Sequence, residues 1–350
     1  MIQEKKKIGV LFGGCSTEYG VSLQSAHAVI THMDREKYEP VLIGITREGN
    51  WYLYRGEVEK IPEDTWQSDP GCRQVVMSPD RELHGLWVWE QEGVKALSLD
   101  AAFPVLHGKN GEDGTVQGVL ELAGVPVVGC TILASALCMD KDMAHVVAAA
   151  AGVRVPASGL INRWEKVKAK EVADRLGYPV FVKPLRAGSS FGITKVLSEK
   201  QLMDAVEAAF AHDSCVIMEE MIRGFEVGCA VMGQEQLTMG AVDEIELSQG
   251  FFDFEEKYTL KTSDIHVPAR ISREKAEEIR QTAAVIYRAL RCSGFARVDM
   301  FLTPEGNIYF NEVNTIPGFT AHSRYPSMMK EIGMSFEEIV NSLIEAALAE

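Results

Sequence analysis

Phe295-Ala296-Arg297-Val298-Asp299-Met300-Phe301-Leu302, then Thr303-Pro304-Glu305-Gly306-Asn307, then Ile308-Tyr309-Phe310-Asn311-Glu312-Val313-Asn314 is the stretch whose reading decides the fold. Two runs rich in β-branched and aromatic residues flank a Pro/Gly/Asn turn, which predicts an antiparallel hairpin. Centring the turn between Glu305 and Gly306 sets Asp299 opposite Glu312 and Arg297 opposite Asn314. Strand alternation then gathers these four polar side chains on one face and puts Val298, Met300 and Val313 on the other. Carboxylates directly opposite each other repel unless something positive lies between them. Two carboxylates and an amide suit a hard cation such as Mg²⁺, bound together with phosphate oxygens. A solvated polar face with a chance ion pair is the plainer alternative. The apolar opposite face and the presence of Asn314 in the cluster favour a metal site.

Upstream, Pro179-Val180-Phe181-Val182-Lys183-Pro184 reads as a strand that meets the loop Arg186-Ala187-Gly188-Ser189-Ser190-Phe191-Gly192. Its glycines let backbone N–H groups approach phosphates. It is not a Walker A loop, because GxxxxGK[ST] is absent and a strand, not a helix, follows. Taken alone, an ordinary hairpin connection is the commoner reading of such a loop; beside the carboxylate hairpin it gains weight. Around it the pattern predicts helices near Asp142–Ala151 and Lys166–Leu176, a strand Ile193–Val196, another helix and a strand Cys215–Met218. That is a small α+β unit needing no parallel sheet. The last third adds a strand from Gln236 to Leu247, an aromatic and charged loop from Ser248 to Pro268, and helices Arg273–Leu290 and Ser335–Leu348.

The first third alternates apolar strands (Ile8–Phe12, Glu39–Ile45, Ala101–Leu106, Val125–Gly129) with helices (Val21–His32, Thr115–Ala123), which predicts a parallel sheet covered by helices. Glu18 follows a strand and a Gly-Gly turn near the first helix N-terminus, where a carboxylate also simply suits the helix dipole. His107 ends a strand before a Gly-rich loop. The expected division is 1–137, 138–225 and 226–350.

The composition is that of a globular chain: 350 residues, 46% apolar and 24% charged. No apolar run is long enough to span a membrane, and the start lacks a signal-peptide core, so a cytoplasmic location is expected. A formal charge of −15 argues against a general nucleic-acid binder. Seven scattered cysteines without a CxxC pair read as reduced, buried thiols.

These residues resemble the D-alanine–D-alanine ligase family of the ATP-grasp superfamily over essentially the whole chain. The matching blocks are Gly13-Gly14 to Glu18, Val21-Ser22-Leu23, His107-Gly108 to Gly111-Glu112-Asp113-Gly114, Gln117-Gly118 and Met139-Asp140-Lys141. They continue with Lys183-Pro184 to Gly192, Lys257-Tyr258, Gly294 to Asp299, and Glu312-Val313-Asn314-Thr315 to His322-Ser323. The resemblance implies three α/β or α+β domains, with ATP between two antiparallel sheets and an N-terminal parallel-sheet domain, in a homodimer. It assigns Lys141 and Lys183 to ATP phosphates, Ser190 to ATP, Glu219 with the backbone of Glu220 to Ile222 to adenine, and Glu226 to ribose. Asp299, Glu312 and Asn314 would hold two Mg²⁺, with Mn²⁺ able to stand in. Glu18 would bind the ammonium of the first D-alanine, linked through Ser189 to Tyr258 of a lid spanning Ser248 to Pro268. His107 would contact substrate. Arg297 and the N–H of Gly318 would stabilise an oxyanion as an acyl phosphate is attacked by the second amine.

Gly20 stands where the family is usually acidic. Lys257-Tyr258 is retained, whereas D-lactate-incorporating relatives lose it. After Ser323 comes Arg324, where ordinary D-alanine–D-alanine ligases usually carry leucine. A guanidinium there seeks an oxygen partner. With Asp243 to orient it and Phe252 nearby, the set is similar to the D-alanine–D-serine ligases of the VanG type found in vancomycin resistance. D-Serine is the expected second substrate, with D-alanine as the alternative.

Overall fold

The structure, a computed structural model, describes residues 4–186, 188, 192–247 and 263–349. Among these residues the strands form three sheets. The first comprises β1 (Lys6–Gly13), β2 (Tyr38–Ile45), β3 (Trp51–Tyr54), β4 (Arg73–Met77), β5 (Gly85–Glu90), β6 (Gly93–Ser98) and β7 (Ala101–Val105), in the order β6-β5-β4-β3-β2-β1-β7. Helix α1 (Tyr19–Thr31) follows β1, and α2 (Thr115–Leu122) follows β7.

The parallel sheet expected here is only partly so. β1 runs parallel to β2 and β7, but β2 through β6 pair antiparallel. The reason lies in the links: β5 and β6 are joined by two residues, Gln91 and Glu92, and so short a connection cannot make a parallel crossover. Val125–Gly129 contributes a single parallel bridge, Ala102 to Val127, rather than a strand.

Helices α3 (Ile132–Met139) and α4 (Lys141–Ala150) lead to β8 (Ser158–Asn162), α5 (Lys168–Leu176), β9 (Val180–Pro184), β10 (Thr194–Val196), α6 (Glu199–Phe210) and β11 (Cys215–Glu220). The four strands are all antiparallel, in the order β10-β9-β11-β8. Ile161, Val180, Val182, Val216 and Met218 pack against Leu202, Val206 and Phe210 of α6.

The third sheet holds β12 (Phe225–Gly233), β13 (Leu237–Leu247), β14 (Ser263–His266), β15 (Phe295–Leu302) and β16 (Ile308–Asn314), in the order β14-β13-β12-β15-β16. Part of the stretch expected as one loop is therefore strand β14. Helix α7 (Arg273–Ala289) covers one face together with α3 and α4, burying Val298, Met300 and Val313 beside Ala144, Ala148 and Ile286. Helices α8 (Arg324–Glu331) and α9 (Phe336–Leu348) return to the first sheet, where Met328, Ile339 and Leu343 share a core with Ile8, Val10 and Phe103.

The β15–β16 hairpin turns as expected, with Gly306 in the left-handed region at φ +82°. Arg297 pairs with Asn314 and Asp299 with Glu312. Beyond them the register shifts: Met300 faces Phe310, leaving Asn311 as a bulge. The bulge has a partner, because the Asn311 carbonyl lies 2.8 Å from His145 Nε2 of α4.

All seven cysteines are free thiols, as expected; the expected burial holds for five, while Cys72 is half-buried and Cys15 exposed. Among the described residues no helix is long and apolar enough to cross a membrane.

Candidate active site

The third sheet brings its polar residues into rows. Gly228 pairs with Asp243 on one side and Asp299 on the other, and Asp299 pairs with Glu312. One row across four strands therefore reads Asp243, Gly228, Asp299, Glu312. The next reads Ala230, Arg297, Asn314. Arg324, at the start of α8, lies over Gly228. A Cβ at Gly228 would stand 2.5 Å from Arg324 Nη2, 2.7 Å from Asp243 Oδ1 and 2.9 Å from Asp299 Oδ1, so only glycine leaves room for the guanidinium.

Arg324 is buried, 7% exposed. Its Nε donates to Asp243 Oδ2 at 2.6 Å, Nη2 to Asp243 Oδ1 at 2.8 Å and Nη1 to Glu226 Oε1 at 2.8 Å. Nη2 also lies 3.3 Å from Asp299 Oδ1. Burial alone would lower its pKa, but the charges of Asp243 and Asp299 outweigh burial and raise it well above the ordinary value. Glu226, expected at ribose, thus also serves Arg324.

Asp299 is fully buried and receives Arg297 Nε at 2.8 Å, Arg297 Nη2 at 2.7 Å and Asn314 Nδ2 at 2.9 Å. Across the row, Glu312 Oε2 lies 3.7 Å from Lys141 Nζ. The repulsion between Asp299 and Glu312 is thereby relieved by Arg297, Arg324 and Lys141, and charge balance alone does not demand a cation. The donor chemistry remains. Among the described residues no cage of three or more His, Cys, Asp or Glu side chains is gathered. Two carboxylates and an amide form an open set, which fits a hard cation that takes its other oxygens from phosphate and water.

Facing this row is the ion pair of Lys183 (β9) and Glu219 (β11), Nζ to Oε2 at 2.6 Å, both side chains buried. Burial pushes the Glu219 pKa up, yet Lys183, His145 and Lys141 together hold it below its ordinary value. Glu219 Oε1 and His145 Nδ1 lack any hydrogen-bond partner among the described residues and face each other across 3.8 Å. His145 Nε2 donates to the Asn311 carbonyl, which leaves Nδ1 aimed at Glu219 Oε1. Glu219 Oε1, an acceptor with no donor at hydrogen-bond distance among the described residues, suits a ligand amine. Residues 221–224 link β11 to β12 and so join the two antiparallel sheets, and the Glu220 side chain accepts from Ala157 N–H at 2.8 Å.

The N-terminal unit closes the other side. Glu18 is buried, and its Oε2 lies within 3 Å of where a Cβ on Gly108 or Gly188 would stand. It therefore sits between the His107-Gly108 loop and the Gly/Ser loop. His107 Nδ1 lies 2.9 Å from the Ile316 carbonyl and Nε2 3.4 Å from Ser25 Oγ, so a substrate contact by His107 would compete with these partners. Burial lowers its pKa. Glu112 accepts from Gly108 N–H at 2.8 Å and Ile316 N–H at 3.1 Å. Burial first, then the charge of Glu18, raises its pKa to about 8. Ser323 Oγ accepts from Thr320 N–H at 3.0 Å and would lie 3.0 Å from a Cβ on Gly318.

Ser189, Ser190, Phe252, Lys257 and Tyr258 lie outside the described residues. The sequence reading does not include Gly228, Glu112 or Ser25 among the site residues. A glycine inside a strand, at Gly228, was the signal for close approach of another group. Glu112 stood within a quoted motif, and nothing local marked Ser25.

A family model described as D-ala D-ala ligase N-terminus matches residues 7–130, and one described as D-ala D-ala ligase C-terminus matches residues 147–345. The vancomycin C-type resistance protein VanC1 of Enterococcus gallinarum is 47% identical over 350 residues, 99% of this chain and 98% of its own length. A D-alanine–D-alanine ligase of Caldicellulosiruptor bescii is 41% identical, covering 98% and 95%. The crystal structure of VanG D-Ala:D-Ser ligase from Enterococcus faecalis is 56% identical, with a TM-score of 0.92 over 98% of this chain and 100% of that one. With both halves matched and the fold shared with a solved ligase over nearly its whole length, the chain belongs to the D-alanine–D-alanine ligase family.

Proposed function

We propose that this protein uses ATP to join D-alanine to D-serine, forming a peptidoglycan precursor dipeptide of the kind that underlies vancomycin resistance. The buried Arg324, clamped by Asp243 and Glu226, is the observation that carries the reading. A guanidinium has five N–H donors. Four face carboxylates, and Nη1 keeps a donor for a substrate hydroxyl that D-alanine lacks. The likeness to a D-Ala:D-Ser ligase at 56% identity supports the same choice.

In this reading ATP lies between the two antiparallel sheets. Lys141 and Lys183 take its phosphates, and Glu219 Oε1, without a hydrogen-bond partner among the described residues, accepts from the adenine amine. Ser190 and the Gly/Ser loop would cover the phosphates, while Glu226 serves ribose. Asp299, Glu312 and Asn314 would hold divalent cations, Mg²⁺ by donor type, whose chemistry is neutralising charge on the transferred phosphoryl group. Glu18 holds the ammonium of D-alanine, so its carboxylate is presented for phosphorylation. The second amine then attacks the acyl phosphate, and Arg297 with the Gly318 N–H stabilises the oxyanion. Tyr258, Ser189 and Phe252, on the lid and loop, would exclude water from the acyl phosphate. A cytoplasmic homodimer divided at 137 and 226 completes the proposal.

Product analysis tests it: purified protein with ATP, Mg²⁺ and equal D-alanine and D-serine should yield mainly D-alanyl-D-serine. Mainly D-alanyl-D-alanine would mark an ordinary cell-wall ligase. Release of ADP without any dipeptide would sink the ligase reading itself.

A further inference from the structure

The backbone between Asn314 and Ser323 is fastened to the N-terminal unit at two points. The Ile316 backbone is held through both of the peptide groups that flank its Cα: its N–H donates to Glu112 Oε1 at 3.1 Å and its carbonyl accepts from His107 Nδ1 at 2.9 Å. Phe319 N–H donates to Ser25 Oγ at 3.1 Å, and the Phe319 ring packs edge-on against Phe103 and Phe295 at 6.2 and 5.5 Å. The holders are themselves connected. Glu112 Oε2 accepts from Gly108 N–H at 2.8 Å, and His107 Nε2 lies 3.4 Å from Ser25 Oγ. Gly318 sits between the two fixed points. The same Gly108 turn lies against Glu18. One rigid unit therefore holds both the carboxylate meant for the substrate ammonium and the peptide meant for the oxyanion.

We propose that Glu112, His107 and Ser25 are positioning residues that set the backbone of residues 316–319, and with it the Gly318 N–H, against the acyl centre. This rests on the ligase reading, in which Gly318 is the oxyanion donor. Two carboxyl oxygens, each accepting a different backbone N–H, fix the relative placement of the two segments in a way that a single acceptor does not. Small displacements of such donors are costly, because oxyanion stabilisation depends on where the charge develops.

Glu112→Gln, His107→Ala and the double variant test the idea. In the Glu112→Gln variant the amide nitrogen faces one of the two N–H donors, so one hydrogen bond is lost. Each single change should lower kcat for dipeptide formation by about ten- to hundredfold, with KM for ATP held within about twofold. The double variant should fall no more than about threefold below the worse single, because both act on the backbone of one residue. Ser25→Ala is small enough to preserve the fold should the others not. It should lower kcat by roughly tenfold with Tm unchanged within a few degrees. Unchanged kcat in Ser25→Ala, losses that multiply in the double variant, or a KM for ATP rising in step with the fall in kcat would each overturn the proposal. A wild type that makes dipeptide while the variants match it sinks only this inference; a wild type that makes none sinks the ligase reading.

Discussion

The Arg324 cluster and the Lys183–Glu219 cluster are both buried, and both are held by antiparallel strands, yet they are finished differently. Around Arg324 each carboxylate has a named cation: Asp243, Glu226 and Asp299 share Arg324, and Asp299 takes Arg297 as well. Around Lys183 the bonding stays open: among the described residues Glu219 Oε1 and His145 Nδ1 have no hydrogen-bond partner and face each other across 3.8 Å, and Lys141 lies 3.7 Å from Glu312. Buried polar groups are nearly always satisfied, so a closed cluster reads as a scaffold and an open one as a place where a ligand completes the bonding. By that logic, damage to the first should cost fold and selectivity together, and damage to the second should cost turnover alone.

The largest effect should come from the open side. Glu312→Gln removes a charge from a side chain that is 21% exposed. Turnover should drop by at least about a thousandfold through the loss of charge neutralisation at the phosphoryl group, with Tm hardly altered. Rates like wild type at ordinary Mg²⁺, or a large fall in Tm, would erase the distinction between the clusters.

Arg324→Leu strikes the closed side. Asp243 and part of Asp299 would be left buried without their cation, which costs roughly 3–5 kcal/mol of stability. The D-serine to D-alanine ratio of kcat/KM for the second site should shift towards D-alanine by about one to two decades, since a lost hydrogen bond to a hydroxyl is worth that much. A stable variant with an unchanged ratio would show that Arg324 neither supports the cluster nor selects the substrate.

Gly228→Ala should give the smallest change and the sharpest test of geometry. The added methyl would stand 2.5 Å from Arg324 Nη2, so the guanidinium must move while its partners stay. A cost of about 1–3 kcal/mol and a severalfold erosion of D-serine preference are expected, from overpacking alone. Full retention of both would mean that the guanidinium has room that the row of Asp243, Gly228 and Asp299 denies it.

Much of the site was legible because it is local. The turn Thr303–Asn307 and strict alternation placed Arg297, Asp299, Glu312 and Asn314 together from sequence, and the pairing at those positions is as expected. The bulge at Asn311 was not legible, because its carbonyl is taken by His145, 166 positions away. The mixed N-terminal sheet was missed because its parallel strands and its antiparallel strands look alike as apolar runs. Link length decides between them only once strand ends are known.

The sequence by itself determined the family, the carboxylate hairpin and the residue types the chemistry needs, because each depends on neighbours a few positions apart. Only the tertiary structure decided that Arg324 lies over Gly228 between two aspartates, that Glu219 pairs with Lys183, and that Glu112, His107 and Ser25 grip the 316–319 backbone. Those contacts join segments up to 294 positions apart. Such contacts form only when packing of separate units aligns them, and no periodicity along the chain records that alignment.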